Sequence, residues 1–376
     1  MTTRPVTFVH SSDWQLGMTR HYLADEAQAR FTGDRIHTIH TIGEVAKREG
    51  AEFIVVAGDV FEHANLPARD IGRACEAMGE VGLPIFLLPG NHDPLGPGSL
   101  WHSEEMKRAL PKNVTLLDST DPVEAAPGVE IIGVPWLSKN PGKDPVTGAL
   151  NDLAPTDKIR ILVGHGMLKE LDPSSQSSTE YVDSAALRAA IHDGLVTYVA
   201  LGDRHICWID DETGAINYSG THETTSFREP DRGTVLVVKV VDGVTATKHE
   251  VGTWLHTTVE RNIDSSDDVQ LLAEDLASIR SKDRTIVQTI LTGSLSIAAA
   301  AELDTVLENS EHLLASLGQW ERHTDLTIVP DEADADSLGL TGFAADAFAE
   351  LSERAQSGDT VAADALKLLY RIGANA

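Results

Sequence analysis

Across roughly the first 235 residues, short apolar runs alternate with segments in which apolar residues recur every three or four positions. The runs are "VTFVH" from Val6, "FIVVAG" from Phe53, "PIFLLPG" from Pro84, "VEIIGVPW" from Val129, "IRILVGHG" from Ile159 and "TYVALGD" from Thr197. Rich in Val and Ile and apolar almost throughout, they predict strands covered on both faces, as in sheets layered by helices. Between the first two runs, Ile36, Ile39, Ile42 and Val45 recur at helical spacing, and Gly50 closes the segment. After the second, Asn65 and Pro67 mark a helix start, with Gly82 and Pro84 at its stop. The pattern predicts a layered α/β fold.

Two stretches dense in turn formers, residues 138–157 and 171–180, read as long loops, which in a compact domain usually carry function. From His256 the texture changes to "TTVERNI", a helical "SSDDVQLLAEDLASIRS", "DRTIVQTILTG", a second helical stretch and "TDLTIVP", which predicts a small β-α-β-α-β domain. Beyond Pro330 the chain is acidic as far as "DEADAD". It then becomes helical, with Phe343, Ala347, Phe348 and Leu351 on one stripe expected to pack against its own protein. The expected organisation is a main domain over residues 1–255, a small α/β domain over 256–330 and an acidic segment with helices over 331–376.

A length of 376 residues agrees with more than one domain. Cys75 and Cys207 make neither a disulfide framework nor a CxxC pair, and no basic-then-apolar leader opens the sequence, so a cytoplasmic location is expected. Apolar runs fall short of the roughly 18 residues of a membrane span, so no membrane association is expected. The formal net charge of -28 argues against a broad basic face of the kind that holds DNA by releasing counterions. It does not exclude phosphate chemistry, because carboxylates that hold metal ions do not act as free negative charge.

The chemistry lies where the apolar runs end. Asp13 follows the first, Asp59 the second, and Asn91, His92 and Asp93 the third; His165 ends the fifth, and Asp203 and His205 follow the sixth. Ligands gather at the carboxyl ends of strands in open α/β sheets, since loops from neighbouring strands converge there. One such residue means little, whereas carboxylates, imidazoles and an amide oxygen at successive strand ends can together hold two divalent cations. Nothing else competes: the chain has no "GxxxxGK[ST]", no "GxSxG" and no "GxGxxG" after a strand.

The order Asp, "GDxxE", "GNHD", "GH", "GxxH" resembles the calcineurin-type metallophosphoesterase superfamily. "HSSDWQLG", "GDVFE" and "YSGTHE" are most similar to its DNA-repair exonuclease branch, which contains the nuclease subunit of bacterial SbcCD. The resemblance implies a layered α/β metallophosphoesterase sandwich with a small C-terminal α/β capping domain, and a metal-dependent phosphodiesterase acting on DNA as an exonuclease or endonuclease. It makes Asp59 the carboxylate bridging two metals, Asp13 and His205 ligands of one, and Asn91 and His165 ligands of the other. His92 would contact the scissile phosphate and protonate the leaving oxygen, with Asp93 orienting it. It further implies an SbcC-type ATPase partner, DNA as substrate and a homodimer.

Two positions depart from the pattern: Gln15 and Asp203 stand where the family usually has histidines. Each metal thereby exchanges an imidazole for an oxygen donor, which favours Mn²⁺, with Mg²⁺ second, over zinc. The Gln15 amide is the weaker donor, so its metal is expected to be the looser one. His222 after "YSG" is expected to reach substrate, and Glu62 to support the site from behind the ligands. Trp14 and Trp136 read as core residues ahead of base-stacking ones. Two alternatives remain open: a phosphoesterase for nucleotides or cyclic phosphodiesters, and a catalytically weak adaptor that binds DNA ends or an ATPase.

Overall fold

The computed structural model describes residues 4–172, 181–328 and 341–373. The expected acidic segment after Pro330 and most of the expected loop at 171–180 lie outside the described residues. The chain forms two compact units, one of Met1–His21 with Gln28–Trp254, the other of Tyr22–Ala27 with Leu255–Ala376.

In the first unit, β1 (Val6–Ser11), β2 (Ile54–Val56), β3 (Ile85–Leu87) and β4 (Val114–Leu116) are parallel neighbours in a six-stranded sheet. Two antiparallel strands, which like β4 have no counterpart in the apolar runs, complete it. They are β11 (Thr234–Val240), antiparallel to β1, and β12 (Val244–Glu250), antiparallel to β11. A second sheet holds β5 (Val123–Ala126), β6 (Val129–Gly133), β7 (Ile159–His165), β8 (Tyr198–Gly202), β10 (Ile216–Tyr218) and β9 (Trp208–Ile209), in that order. Its central members β6, β7, β8 and β10 are parallel.

Alternation along the strands explains the layering, because successive side chains point to opposite faces. Phe8, Phe53, Val55 and Phe86 from one sheet and Ile131, Ile161, Val163 and Tyr198 from the other share one buried cluster between the sheets. On the outer face of the first sheet, Val9, Ile54 and Val56 meet Ile36, Ile39, Ile42 and Val45 of α1 (Asp25–Arg48) and Ile71, Cys75 and Met78 of α2 (Ala68–Val81). Pro67 precedes α2, and Gly82 ends it in the left-handed conformation with φ +71°. The outer face of the second sheet, with Ile132, Leu162 and Leu201, is covered by α4 (Pro145–Ala149) and α5 (Ser184–His192) through Val146, Leu187 and Ala190. The unit is thus a four-layer α-β-β-α sandwich. Residues 138–157, expected as a plain loop, contain α4, whose first turn is capped by the Asp144 carboxylate accepting from Val146 and Thr147 N–H groups. A third short helix, α3 (Glu104–Ala109), precedes β4.

The second unit contains a parallel sheet in which the long β14 (Thr285–Leu295) pairs with β13 (Leu255–Asn262), β15 (Ser316–Gln319) and β16 (Asp325–Ile328). Helices α6 (Ser266–Ser278) and α7 (Ile297–Glu311) start at Ser265 and Ser296, whose hydroxyls accept from backbone N–H groups three residues on. Val269, Leu272, Leu291 and Leu303 lie in its core. Two further helices follow, α8 (Phe343–Gln356) and α9 (Thr360–Gly373). Phe348 packs with Ile297 and Leu366, whereas Phe343, expected on the same stripe, is 88% exposed because it stands at the first residue of α8, a full turn before those contacts. Among the described residues no helix is long and apolar enough to cross a membrane.

Candidate metal centre

The carboxyl ends of β1, β2 and β3 in one sheet and of β7 and β8 in the other meet at one place. Ligand atoms of Asp13, Asp59 and His165, all buried, lie within 4.8 Å of one another. Glycine permits the approach: a Cβ at Gly202 would stand 1.7 Å from the Ala57 carbonyl oxygen, and one at Gly90 2.1 Å from Oδ1 of Asp59. The two loops that follow β1 and β2 run side by side, Asp13, Gln15 and Leu16 donating N–H groups to the carbonyls of Gly58, Asp59 and Val60. Along this path Asp13, Gln15, Asp59 and Asp203 take left-handed φ values of +52°, +42°, +50° and +93°. Among the described residues only Ser281 is a further non-glycine example, so the backbone strain is concentrated at the centre.

Both imidazoles are fixed from behind. His165 Nδ1 lies 2.9 Å from the Ala57 carbonyl, which can only accept, so Nδ1 carries the proton. Its Nε2 then faces Asn91 Oδ1 at 2.8 Å, Asp59 Oδ1 at 3.5 Å and Asp203 Oδ1 at 3.9 Å. His205 donates Nδ1–H to Glu229 Oε1 at 2.9 Å, with Thr225 Oγ1 at 2.8 Å, and turns Nε2 toward Gln15 at 3.5 Å. A carboxylate behind a metal-facing histidine orients the ring and raises its basicity. Asp13 accepts from the Ser12 hydroxyl at 2.6 Å and from the Asp203 N–H at 3.0 Å. Asp59 accepts from the His92 N–H at 2.9 Å.

This donor set fits divalent cations. Two buried aspartates, Asp13 and Asp59, crowd together beside the partly exposed Asp203, and the Gln15 amide oxygen is buried without a hydrogen-bond partner. Burial, followed by the Asp59 charge, pushes the Asp13 carboxyl upward against the pull of His205 and His165. Burial also raises Asp203. Burial opposes charge on His205 too, but the Glu229 hydrogen bond and the Asp13 and Asp59 charges outweigh it and lift the imidazole to about 9. Such a cluster is electrostatically incomplete without cations or protons.

Two expected roles change. Asp93 does not orient His92: its buried carboxylate accepts from the N–H groups of Gly90 at 2.7 Å and Phe61 at 3.0 Å, closing the turn that presents Asn91 and His92. Burial, with the Asp59 charge, pushes this carboxyl up to about 8. His92 instead donates Nδ1–H to the Glu62 carbonyl at 2.9 Å, and its Nε2 lies 3.9 Å from Asp59 Oδ2 on a side chain one third exposed. His222 cannot meet substrate. It is fully buried, with Nε2 2.8 Å from the Arg35 carbonyl and its ring near Trp14, and burial drives its imidazole well below the ordinary range. Trp14 is buried in the core, and Trp136 donates Nε1–H to the His165 carbonyl at 2.7 Å.

Glu229, Thr225 and Arg35 were not foreseen. Glu229 sits in "SFREPDRG", where nothing in the sequence separates it from a surface acid. Arg35 interrupts the apolar face of α1, and that interruption is the one available signal.

A cavity of 720 Å³ adjoins the ligands, lined by Met167, Leu171, Arg204, Ile206 and Arg228 beside Asp203 and His205.

Residues 6–224 match the family model of the calcineurin-like phosphoesterases. Among curated proteins, the uncharacterized metallophosphoesterase YhaO of Bacillus subtilis (strain 168) is 29% identical over 125 residues, which are 32% of this chain and 29% of that protein. The match therefore spans under a third of the relative's length. Among solved structures, TT1561 of Thermus thermophilus aligns with a TM-score of 0.39 at 11% identity over 63% of this chain and 99% of that one. Purple acid phosphatase PPD1 from yellow lupin (Lupinus luteus) seeds aligns with a TM-score of 0.37 at 10% identity, over 66% and 52% respectively.

Proposed function

The chain belongs to the calcineurin-like phosphoesterase family, and from that premise we propose that it is a divalent-metal-dependent phosphodiesterase that cuts DNA. The observation carrying the hydrolase reading is the convergence of Asp13, Asp59 and His165 with Asn91, Asp203 and His205 around one buried point. Asp59 would be shared between cations, with Asn91, His165 and Asp203 toward one and Asp13, Gln15 and His205 toward the other. Cations held there would supply Lewis acidity toward the phosphoryl oxygens and the leaving group of an in-line displacement. Mn²⁺ suits the oxygen-rich donor set, with Mg²⁺ second.

The remaining work falls to His92. Its Nδ1–H is committed to the Glu62 carbonyl, so the partly exposed Nε2 is the atom that can touch a phosphodiester and pass a proton to the departing oxygen. Asp93 acts one step back, by holding the turn.

DNA as substrate is supported by the "HSSDWQLG" and "YSGTHE" contexts. An SbcC-type ATPase and a homodimer belong to the same reading. A second reading, a nucleotide or cyclic phosphodiester as substrate, is favoured by the cavity's ligand-sized volume and the net charge of -28.

The test is Mn²⁺ titration by calorimetry beside hydrolysis of bis-(p-nitrophenyl) phosphate, a linear duplex and a cyclic dinucleotide, with wild type and Asp59→Asn. Wild type should bind two ions. Asp59→Asn should lose more than about a hundredfold in hydrolysis, beyond the range for partners behind the ligands. Retained hydrolysis by Asp59→Asn would refute the shared-ligand role, and the duplex and cyclic substrates choose between the two readings.

A further inference from the structure

We propose that the cavity beside Asp203 and His205 is a subsite for the nucleotide adjoining the scissile phosphodiester, and that Arg204 and Arg228 hold that nucleotide's own phosphate. The inference rests on the phosphodiesterase reading and narrows its substrate to molecules carrying a second phosphate next to the one cut.

The volume of 720 Å³ matches pockets that take small ligands. Met167, Leu171 and Ile206 give it an apolar wall on which a base can leave water. Two guanidinium groups, those of Arg204 and Arg228, also line it. In a chain with 58 acidic against 30 basic residues, several arginines are taken up by carboxylates, as Arg160 is by Glu130 and Arg188 by Asp210. Arg204 is not: Nη1 donates to the Leu171 carbonyl at 3.3 Å, and Nε is buried without a hydrogen-bond partner. Arg228 is exposed and forms no ion pair among the described residues.

A buried N–H left unpaired is costly, and a guanidinium fork matches the oxygens of a phosphate. The carboxylates on the cavity wall do not compete for these arginines. Glu229 is bound to His205 and Thr225, and Asp172 accepts from the Tyr181 hydroxyl. Asp203 faces His165 among the candidate metal ligands. Anion-binding groups therefore stand directly beside the acidic centre, where a second phosphate of a nucleotide chain would lie.

The experiment compares kcat/KM, with Mn²⁺, for the dinucleotide TpT and its terminally phosphorylated forms pTpT and TpTp. Wild type should prefer one phosphorylated form over TpT by about tenfold, the effect of a hydrogen bond to a charged group. Arg204→Gln and Arg228→Gln should each bring that ratio close to one, mainly through KM. Arg228→Lys, which keeps the charge without the fork, should retain part of it. Equal rates on all three dinucleotides by wild type, or a preference that survives both glutamine variants, would overturn the subsite while leaving the phosphodiesterase reading intact. Wild type that cuts none of the three, nor bis-(p-nitrophenyl) phosphate, would overturn both.

Discussion

Gln15 shows how one side chain sets the strength of the centre. Its backbone is held at φ +42° by the N–H bond to the Asp59 carbonyl, its amide faces His205, and its Oε1 has no partner. Histidine is among the residues that tolerate left-handed backbone, so Gln15→His should fit without moving the loop. It should tighten one Mn²⁺ site in a calorimetric titration, because imidazole is the better donor; an unchanged isotherm would show that residue 15 holds no metal.

Protonation gives a second test at this scale. His205 is raised from 6.5 to about 9 in the folded protein, chiefly by Glu229 against the opposing effect of burial. Its contribution to stability is complete below about 6.5 and is lost as pH rises through about 9. Asp93, raised from 3.8 to about 8 by burial, acts with the same sign and is lost as pH rises through about 8. The thermal midpoint of metal-stripped protein should therefore fall between pH 6.5 and 9. Mn²⁺ affinity should rise over that window as the cation displaces the proton; a midpoint that is flat or rising would contradict the arrangement.

At the scale of elements, α1 does more than cover the sheet. Its buried Arg35 donates Nε–H and Nη2–H to the Trp14 carbonyl, at 3.2 and 2.7 Å, and Nη1–H to the carbonyls of Glu223 and Thr224 at 3.2 and 3.4 Å. One guanidinium thus joins the loop carrying Asp13 and Gln15 to the loop leading to Thr225, which braces Glu229. Glu223, also buried, accepts from the Thr38 hydroxyl of the same helix at 2.6 Å and from the Trp254 N–H at 2.9 Å. Arg35→Ala would leave the Trp14 carbonyl without its donor in a dry interior, while the Glu223 carbonyl would keep the Thr221 hydroxyl at 2.9 Å. At about 1–3 kcal/mol for a buried group left unpaired, the loss in urea denaturation should be at least about 1 kcal/mol. Mn²⁺ affinity should weaken with it. A variant as stable as wild type would mean that water replaces the guanidinium.

For the whole molecule, 58 acidic residues against 30 basic ones oppose counterion-driven binding of a duplex. The isolated chain should hold a linear duplex no more tightly than about 10⁻⁶ M at physiological salt, the range of non-specific contact, by fluorescence anisotropy. Tighter binding would require a basic surface that the composition does not suggest. Weak binding alongside hydrolysis of short substrates would place duplex capture with a partner.

What the sequence by itself determined was what local pattern can encode. Val- and Ile-rich runs marked the central strands, the spacing of Ile36, Ile39, Ile42 and Val45 marked α1, and Pro67 and Gly82 bounded α2. The Asp, Asn and His residues after those runs were legible as candidate ligands because a strand end must open toward ligand. The tertiary structure alone decided what lies behind each of them. Asp93 is the chain neighbour of His92 and Glu62 belongs to an earlier motif, yet the Glu62 carbonyl rather than the Asp93 carboxylate holds the His92 ring. Glu229 reaches His205 across 24 positions, and Ala57 reaches His165 across 108. His222, next to a motif in sequence, turns into the core, where its Nε2 meets the Arg35 carbonyl 187 positions away. Hydrogen bonds between residues far apart in the chain depend on how two sheets meet, and spacing along one strand carries no information about that meeting.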